Sequence, residues 1–210
     1  MNETIYDRHA PKTPLDLAGE IFQPIMMLPD RLPVFDFTES YDPQRMLDFP
    51  YGVGRYDEVR PSMYTESYFA SETRNIHMGI DLAAPPGTEV YAFASGIVHS
   101  LGDNDRPQDY GPTVVTVHEI KNQIIYALYG HLSRSTLHQL SVGDDFSAGA
   151  HIGWIGEKHE NGGWNPHLHF QLSRVEPIGC DLPGAVSAAQ REWALQAFPD
   201  PRLVLGPLYE

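Results

Sequence analysis

Residues 111–132 read GPTVVTVHEIKNQIIYALYGHL. Two runs dense in β-branched and aromatic residues, PTVVTVHEI and QIIYALYGHL, are separated only by Lys121-Asn122. Such residues favour strands, and a two-residue connection containing Asn is the signature of a tight hairpin. Upstream, GTEVYAFASGIVHSLG (87–102) divides into two more short strands. Downstream, HIGWIG (151–156) and HLHFQLS (167–173) complete the series, with Gly, Asp, Asn and Pro between the runs. No 11-residue window in this stretch holds a helical period. The expected fold is mainly β, with an antiparallel sheet as its core.

The flanks have a different texture. Residues 1–70 hold eight prolines, from Pro11 to Pro61, a spacing that forbids long helices and central strands. Yet Ile21, Phe22, Ile25, Met26, Met27 and Leu28, then Val34, Phe35 and Phe37, are too apolar for a free linker. The segment reads as an extended arm that wraps the main body, with one short strand within residues 32–37. Beyond residue 176, Pro183-Gly184 is a break, and Ser187-x-x-Gln190 resembles a capping box that opens a helix through Trp193 to about Phe198. Pro199 and Pro201 then stop it. The expected organisation is an arm over 1–70, a β domain over 71–175 and a tail over 176–210 with one helix.

The chain has 210 residues, 41% of them apolar and 11% aromatic, which places it among globular proteins. A chain of this length buries roughly 70% of its unfolded surface and needs no disulfide staple. Its 14 Lys and Arg face 28 Asp and Glu, for a net charge of −14, which argues against nucleic-acid partners and adhesion to anionic membranes. No apolar run approaches the ~18 residues of a membrane span. The polar opening MNETIYDRHAPKTPLD lacks the apolar stretch of a secretory signal, and Cys180 is the single cysteine. Cytoplasm is the expected compartment, or the periplasm or exterior if a signal has been removed.

Ten histidines stand beside only 14 Lys and Arg. Four fall into short signatures: His77-Met78-Gly79-Ile80-Asp81, Tyr129-Gly130-His131-Leu132-Ser133 and His167-Leu168-His169. On a strand, His167 and His169 share one face while Leu168 and Phe170 enter the other. Two adjacent imidazoles suit a bound cation or a carboxylate; read alone, the triplet is equally a half-exposed strand. His77 and Asp81 would lie about 13 Å apart on a straight strand, too far for one ion. A bend at Gly79 would bring them together, since glycine tolerates one; read alone, the stretch is a surface turn. Together the signatures offer two imidazoles and one carboxylate. That leaves an open position on a tetrahedral zinc, the pattern of a catalytic site. Zinc lowers the pKa of its water to about 7, making a nucleophile available near neutrality.

The order and spacing of His77-x-x-x-Asp81, GIDLAAPPGTEVYAFASGIV, YGHLS and His167-x-His169 resemble the lysostaphin-type zinc metallopeptidases, which hydrolyse peptide bonds of bacterial peptidoglycan. The resemblance covers roughly residues 75–173. It implies a fold of the duplicated hybrid motif kind with the site in an open groove. It also implies one Zn2+ per chain held by His77, Asp81 and His169, and a non-ligand catalytic pair, His131 and His167. The implied partner is a peptide or peptidoglycan fragment. The loop Glu160-Asn161-Gly162-Gly163-Trp164-Asn165-Pro166 departs from the shorter Thr/Ser/Gly-rich turn of many wall enzymes. With PHLHFQL it resembles a less characterised branch whose members are also found fused to aminotransferase-type enzymes, which implies an alternative intracellular, non-peptidoglycan substrate.

Tyr129, Trp164 and Asn161 are the candidate substrate contacts. Tyr129 would share a strand face with His131, with core packing as the plainer reading, and Trp164 sits on a Gly-rich loop suited to ligand contact. His9, His99, His118, His138, His151 and His159 lack ligand spacing, and Cys180 has no motif around it. A non-catalytic zinc-containing module is the rival function. A cupin-type barrel would need a Glu shortly after His169, where Glu176 comes only seven positions on.

Overall fold

The hairpin over residues 111–132 lies at the centre of an eight-stranded sheet. The computed structural model describes residues 4–70 and 73–210. Residues 1–3, at the head of the expected arm, and 71–72, at its expected boundary, lie outside the described residues. In chain order the strands are β1 (Val34–Phe35), β2 (Gly52–Gly54), β3 (Ile76–His77), β4 (Ile80–Ala83), β5 (Glu89–Tyr91), β6 (Gly96–Asn104), β7 (Gly111–Ile120), β8 (Gln123–Gly130), β9 (Asp145–Phe146), β10 (His151–Trp154), β11 (His167–Ser173) and β12 (Ala185–Val186). The main sheet runs β1-β2-β4-β11-β8-β7-β6-β9, and β5 with β10 and β3 with β12 form two-stranded ribbons. Every pairing in the main sheet is antiparallel except β1 with β2. The mainly β, antiparallel expectation is met.

The turn between β7 and β8 has φ of 50° at Lys121 and 59° at Asn122. Left-handed backbone at both central residues is what a twisted two-residue hairpin demands. Both faces of the sheet are covered, and the strand alternation distributes side chains between them. Leu82, Val114, Ala127, Leu168, Phe170 and Leu172 face one apolar cluster, joined by Leu17, Ile25 and Met26 from the N-terminal segment. Val115 and Leu128 face a second cluster with Val186, Ala194, Ala197 and Phe198 from the C-terminal tail. Asp81, His167, His169 and Gln171 alternate with the first set, so they rise from the opposite face of the sheet.

The flanks do more than wrap. Residues 4–70 supply β1 and β2, the latter paired directly to β4, and the short helices α1 (Pro43–Asp48) and α2 (Ser67–Ala70). In the tail, Gln190 Oε1 accepts from Ser187 N at 3.0 Å just before α3 (Arg191–Ala197). Pro201, expected only to end that helix, also caps a further single turn, α4 (Arg202–Leu205), because a first-turn position needs no backbone donor. Among the described residues no helix is long and apolar enough to cross a membrane.

Candidate metal centre

The cross-strand register places Asp81 on β4 directly opposite His169 on β11. His77 reaches the same point because the chain bends at Gly79, between β3 and β4. A Cβ at Gly79 would lie 2.5 Å from His169 Cε1 and 2.9 Å from the Phe170 carbonyl oxygen, so the close approach of these strands requires glycine. His77 Nε2 is then 3.1 Å from Asp81 Oδ1, His169 Nδ1 is 3.1 Å from the same oxygen, and the two nitrogens are 3.1 Å apart. The three atoms form an equilateral triangle.

Their hydrogen-bond partners fix what each atom offers. His77 Nδ1–H donates to the Arg55 carbonyl at 2.8 Å, which leaves Nε2 with a bare lone pair. His169 Nε2–H donates to Gln171 Oε1 at 3.1 Å, which bares Nδ1. Asp81 spends Oδ2 on Arg60 Nη1, 2.7 Å away, and turns Oδ1 to the triangle. Three electron-rich atoms therefore converge with no proton of their own between them. Such a group is unfavourable when buried unless a cation or a shared proton lies among its members. An ion about 2.0–2.1 Å from each tetrahedral ligand holds them roughly 3.3 Å apart, which these spacings match within a few tenths of an ångström. Two imidazole nitrogens and a carboxylate oxygen, each with an orienting partner, suit zinc.

Burial and charge keep His77 and Asp81 in ligand form. His77 is pushed down to about 4, first by burial and then by the Arg60 charge. Burial alone would raise Asp81, but His77, Arg60 and His167 overcome it and hold the carboxyl well below its usual range. Arg60 is itself 1% exposed, with Nε on Glu58 Oε2 at 2.9 Å. Arg55 Nη1 closes the chain on Glu58 Oε1 at 3.2 Å.

His131 and His167 stand beside the triangle, their rings 4.4 Å apart, with His167 Nε2 3.7 Å from Asp81 Oδ1. His131 Nδ1–H donates to the Asn161 carbonyl at 2.9 Å and His167 Nδ1–H to the Asn165 carbonyl at 2.7 Å. Both rings keep Nε2 free as a base. Burial first, then the neighbouring histidines His167 and His169, holds His131 well below its ordinary value; burial likewise lowers His167.

All five residues line one cavity of about 320 Å3. It is not the open groove that the resemblance implies: none of the five is more than 7% exposed. The cover comes from outside the matched stretch, where Arg60, Met63 and Tyr64 on one side and Leu182 to Ala185 on the other line the same cavity. Trp164 lines it too, packed against Tyr41 and Tyr64. Two expected contacts lie elsewhere. Tyr129 is fully buried in the first apolar cluster because alternation ends at His131, whose φ of 62° turns its side chain to the opposite face. Asn161 is fully buried and outside the cavity lining; its Oδ1 accepts from Trp164 N at 3.0 Å while its carbonyl orients His131.

Residues 75–178 match the profile of Peptidase family M23. Just under half of the chain is thus similar to that family. Over 115 residues it is 35% identical to the DD-carboxypeptidase/endopeptidase Mpg of Neisseria meningitidis serogroup B, an overlap of 53% of this chain and 24% of that protein. The chain thus spans about a quarter of the length of the curated relatives it matches. Among solved structures, the catalytic domain of the antimicrobial peptidase lysostaphin from Staphylococcus simulans is 24% identical, with a TM-score of 0.47 over 74% of this chain and 98% of that one. The catalytic domain of the prophage-encoded M23 protein EnpA from Enterococcus faecalis is 27% identical, with a TM-score of 0.44 over 66% and 88%.

Sequence reasoning missed Arg55, Glu58, Arg60 and Gln171. Gln171 carried a readable signal, since it follows His169 by two and shares its strand face. Arg60 carried none: it lies 21 positions before Asp81 in a segment read as an arm.

Proposed function

We propose that the chain is a zinc-dependent hydrolase of peptide bonds, with His77, Asp81 and His169 as the ligands. The observation that carries this reading is the buried triangle of three bare donor atoms, each 3.1 Å from the others, with two further basic nitrogens beside it. The match of residues 75–178 to Peptidase family M23 and the likeness to a DD-carboxypeptidase/endopeptidase support peptide substrates, including those of peptidoglycan. Zinc, when bound, supplies a Lewis acid and a water that ionises near neutral pH.

The protein's own groups move the proton. Hydrolysis breaks the amide C–N bond; a water hydroxyl joins the acyl carbon, and the proton it gives up ends on the departing nitrogen. His131 and His167 present neutral Nε2 atoms to the cavity, anchored through Nδ1 to backbone carbonyls that cannot rotate away. One accepts the proton from water, and the other stabilises the developing oxyanion or delivers the proton to nitrogen. Metal analysis coupled to amide hydrolysis tests the assignment. We expect one zinc per chain in the native protein, and neither zinc nor turnover in His169→Ala. His131→Ala should keep zinc and lose about 10²–10⁴-fold in turnover. A native protein without stoichiometric zinc, or a fully active His169→Ala, would overturn it.

A further inference from the structure

The lining of the cavity is graded in exposure. Its inner end is the triangle with His131 and His167, all buried. Of the described residues that line it, only Arg106, Ile178 and Asp181 are exposed; the Arg106 side chain is 71% exposed and Ile178 43%. Ile178 and Asp181 form a β-bridge, and the Arg106 charge reaches Asp181. The sides between are closed by Met63 and Tyr64 from the N-terminal segment and by Trp164, and by β12 and its approach, where Met78 N donates to the Gly184 carbonyl at 2.9 Å. A polymer strand lying across a metal needs a channel open at both ends, and among the described lining residues none outside these three is exposed.

From this shape we infer that the substrate is a small amide of about dipeptide to tripeptide size. It enters end-on between Arg106 and Asp181 and lays one apolar or ring-bearing group against Tyr41, Tyr64 and Trp164. The inference deepens the peptidase reading and rests on it. Three observations select this occupant. The volume of about 320 Å3 is at the lower end of the roughly 300–1,000 Å3 of small-molecule sites. The inner wall is aromatic, with Tyr41 and Tyr64 set edge-on to Trp164 at 6.2 Å, a surface suited to flat or apolar groups. At the mouth, the exposed Arg106 guanidinium can meet the carboxylate end of a short peptide.

The test compares the zinc-loaded 210-residue chain on dipeptides and tripeptides with an aromatic or aliphatic side chain, on an end-blocked hexapeptide with the same bond at its centre, and on intact cross-linked peptidoglycan. Products are read by mass spectrometry. Turnover of the short peptides at least tenfold above the hexapeptide, with no release from the polymer, is the expected result. Tyr64→Ala should raise KM for the aromatic substrates more than for alanyl ones. Cleavage of the blocked hexapeptide or the polymer as fast as the short peptides would overturn the size limit while leaving the peptidase reading intact. Absence of zinc and of all amide hydrolysis would remove the peptidase reading instead. Binding then decides the occupant: dipeptide titration of the His131→Ala protein, followed by tryptophan fluorescence with Trp164→Phe as control, should show a saturable Trp164-dependent change. A flat titration would overturn the cavity assignment.

Discussion

Strands β4 and β11 and the segment over residues 55–64 meet at one carboxylate, Asp81, and they reach it by different physics. The strands deliver Asp81, His167 and His169 by period-two alternation and cross-strand register, so their geometry follows from local pattern. The segment delivers Arg60 through a buried ion-pair chain with Glu58 and Asp81, which forms only when the N-terminal residues fold back onto the sheet. The strands supply the floor and the donor atoms. The segment supplies the cover and decides which carboxylate oxygen is left free. The identity of the candidate ligands is therefore a strand property, while access and donor orientation belong to the flanks.

Substitutions on either side separate the two contributions. The largest effect is expected at the floor: Gly79→Ala puts a methyl group into His169, and zinc affinity should fall on the order of 10³-fold by competition titration, as for loss of a ligand. Unchanged affinity would mean that the bend does not hold the triangle. Next, Arg60→Ala strips Glu58 Oε2 and Asp81 Oδ2 of their shared buried guanidinium partner. It should cost about 3–5 kcal/mol of stability in denaturant unfolding, whereas Arg60→Lys, which keeps the charge, should recover much of it. Full stability of Arg60→Ala would show the cover to be dispensable.

A smaller effect isolates the orienting shell. Gln171→Leu removes the acceptor from His169 Nε2–H and should weaken zinc binding about 10–100-fold with little change in circular dichroism; Gln171→Glu should bind close to the native level. The smallest effect lies on the other side of the sheet, at His118, which is pushed down to about 4 by burial between Thr116 Oγ1 and the Ser95 carbonyl. Its unfolded value is about 6.5, so between these pH values the unfolded chain holds the extra proton and stability drops as pH falls. Relative to His118→Asn, the native protein should lose about 2 kcal/mol between pH 7 and pH 5, measured by chemical denaturation.

The sheet was legible because β7, β8 and β11 announce themselves through residue type and alternation, and the Gly79 bend because a straight strand could not have joined His77 to Asp81. Asn161 and Tyr129 show the limit of that reading. Asn161 acts through its backbone carbonyl, which any residue type possesses. Tyr129 was placed beside His131 by an alternation that the left-handed backbone at His131 interrupts. Arg60 was illegible for a third reason: it reaches its partner from another segment, and nothing in residues 55–64 marks the contact.

Short-range period, glycine placement and side-chain type were enough to foretell the antiparallel core and to single out the candidate metal ligands. The tertiary structure alone decided that the site is a covered cavity, that Asp81 offers a single oxygen, and that Trp164 joins the wall while Tyr129 joins the core. Those outcomes depend on how segments distant in the chain pack against the sheet, and packing between distant segments leaves no periodic trace in either of them.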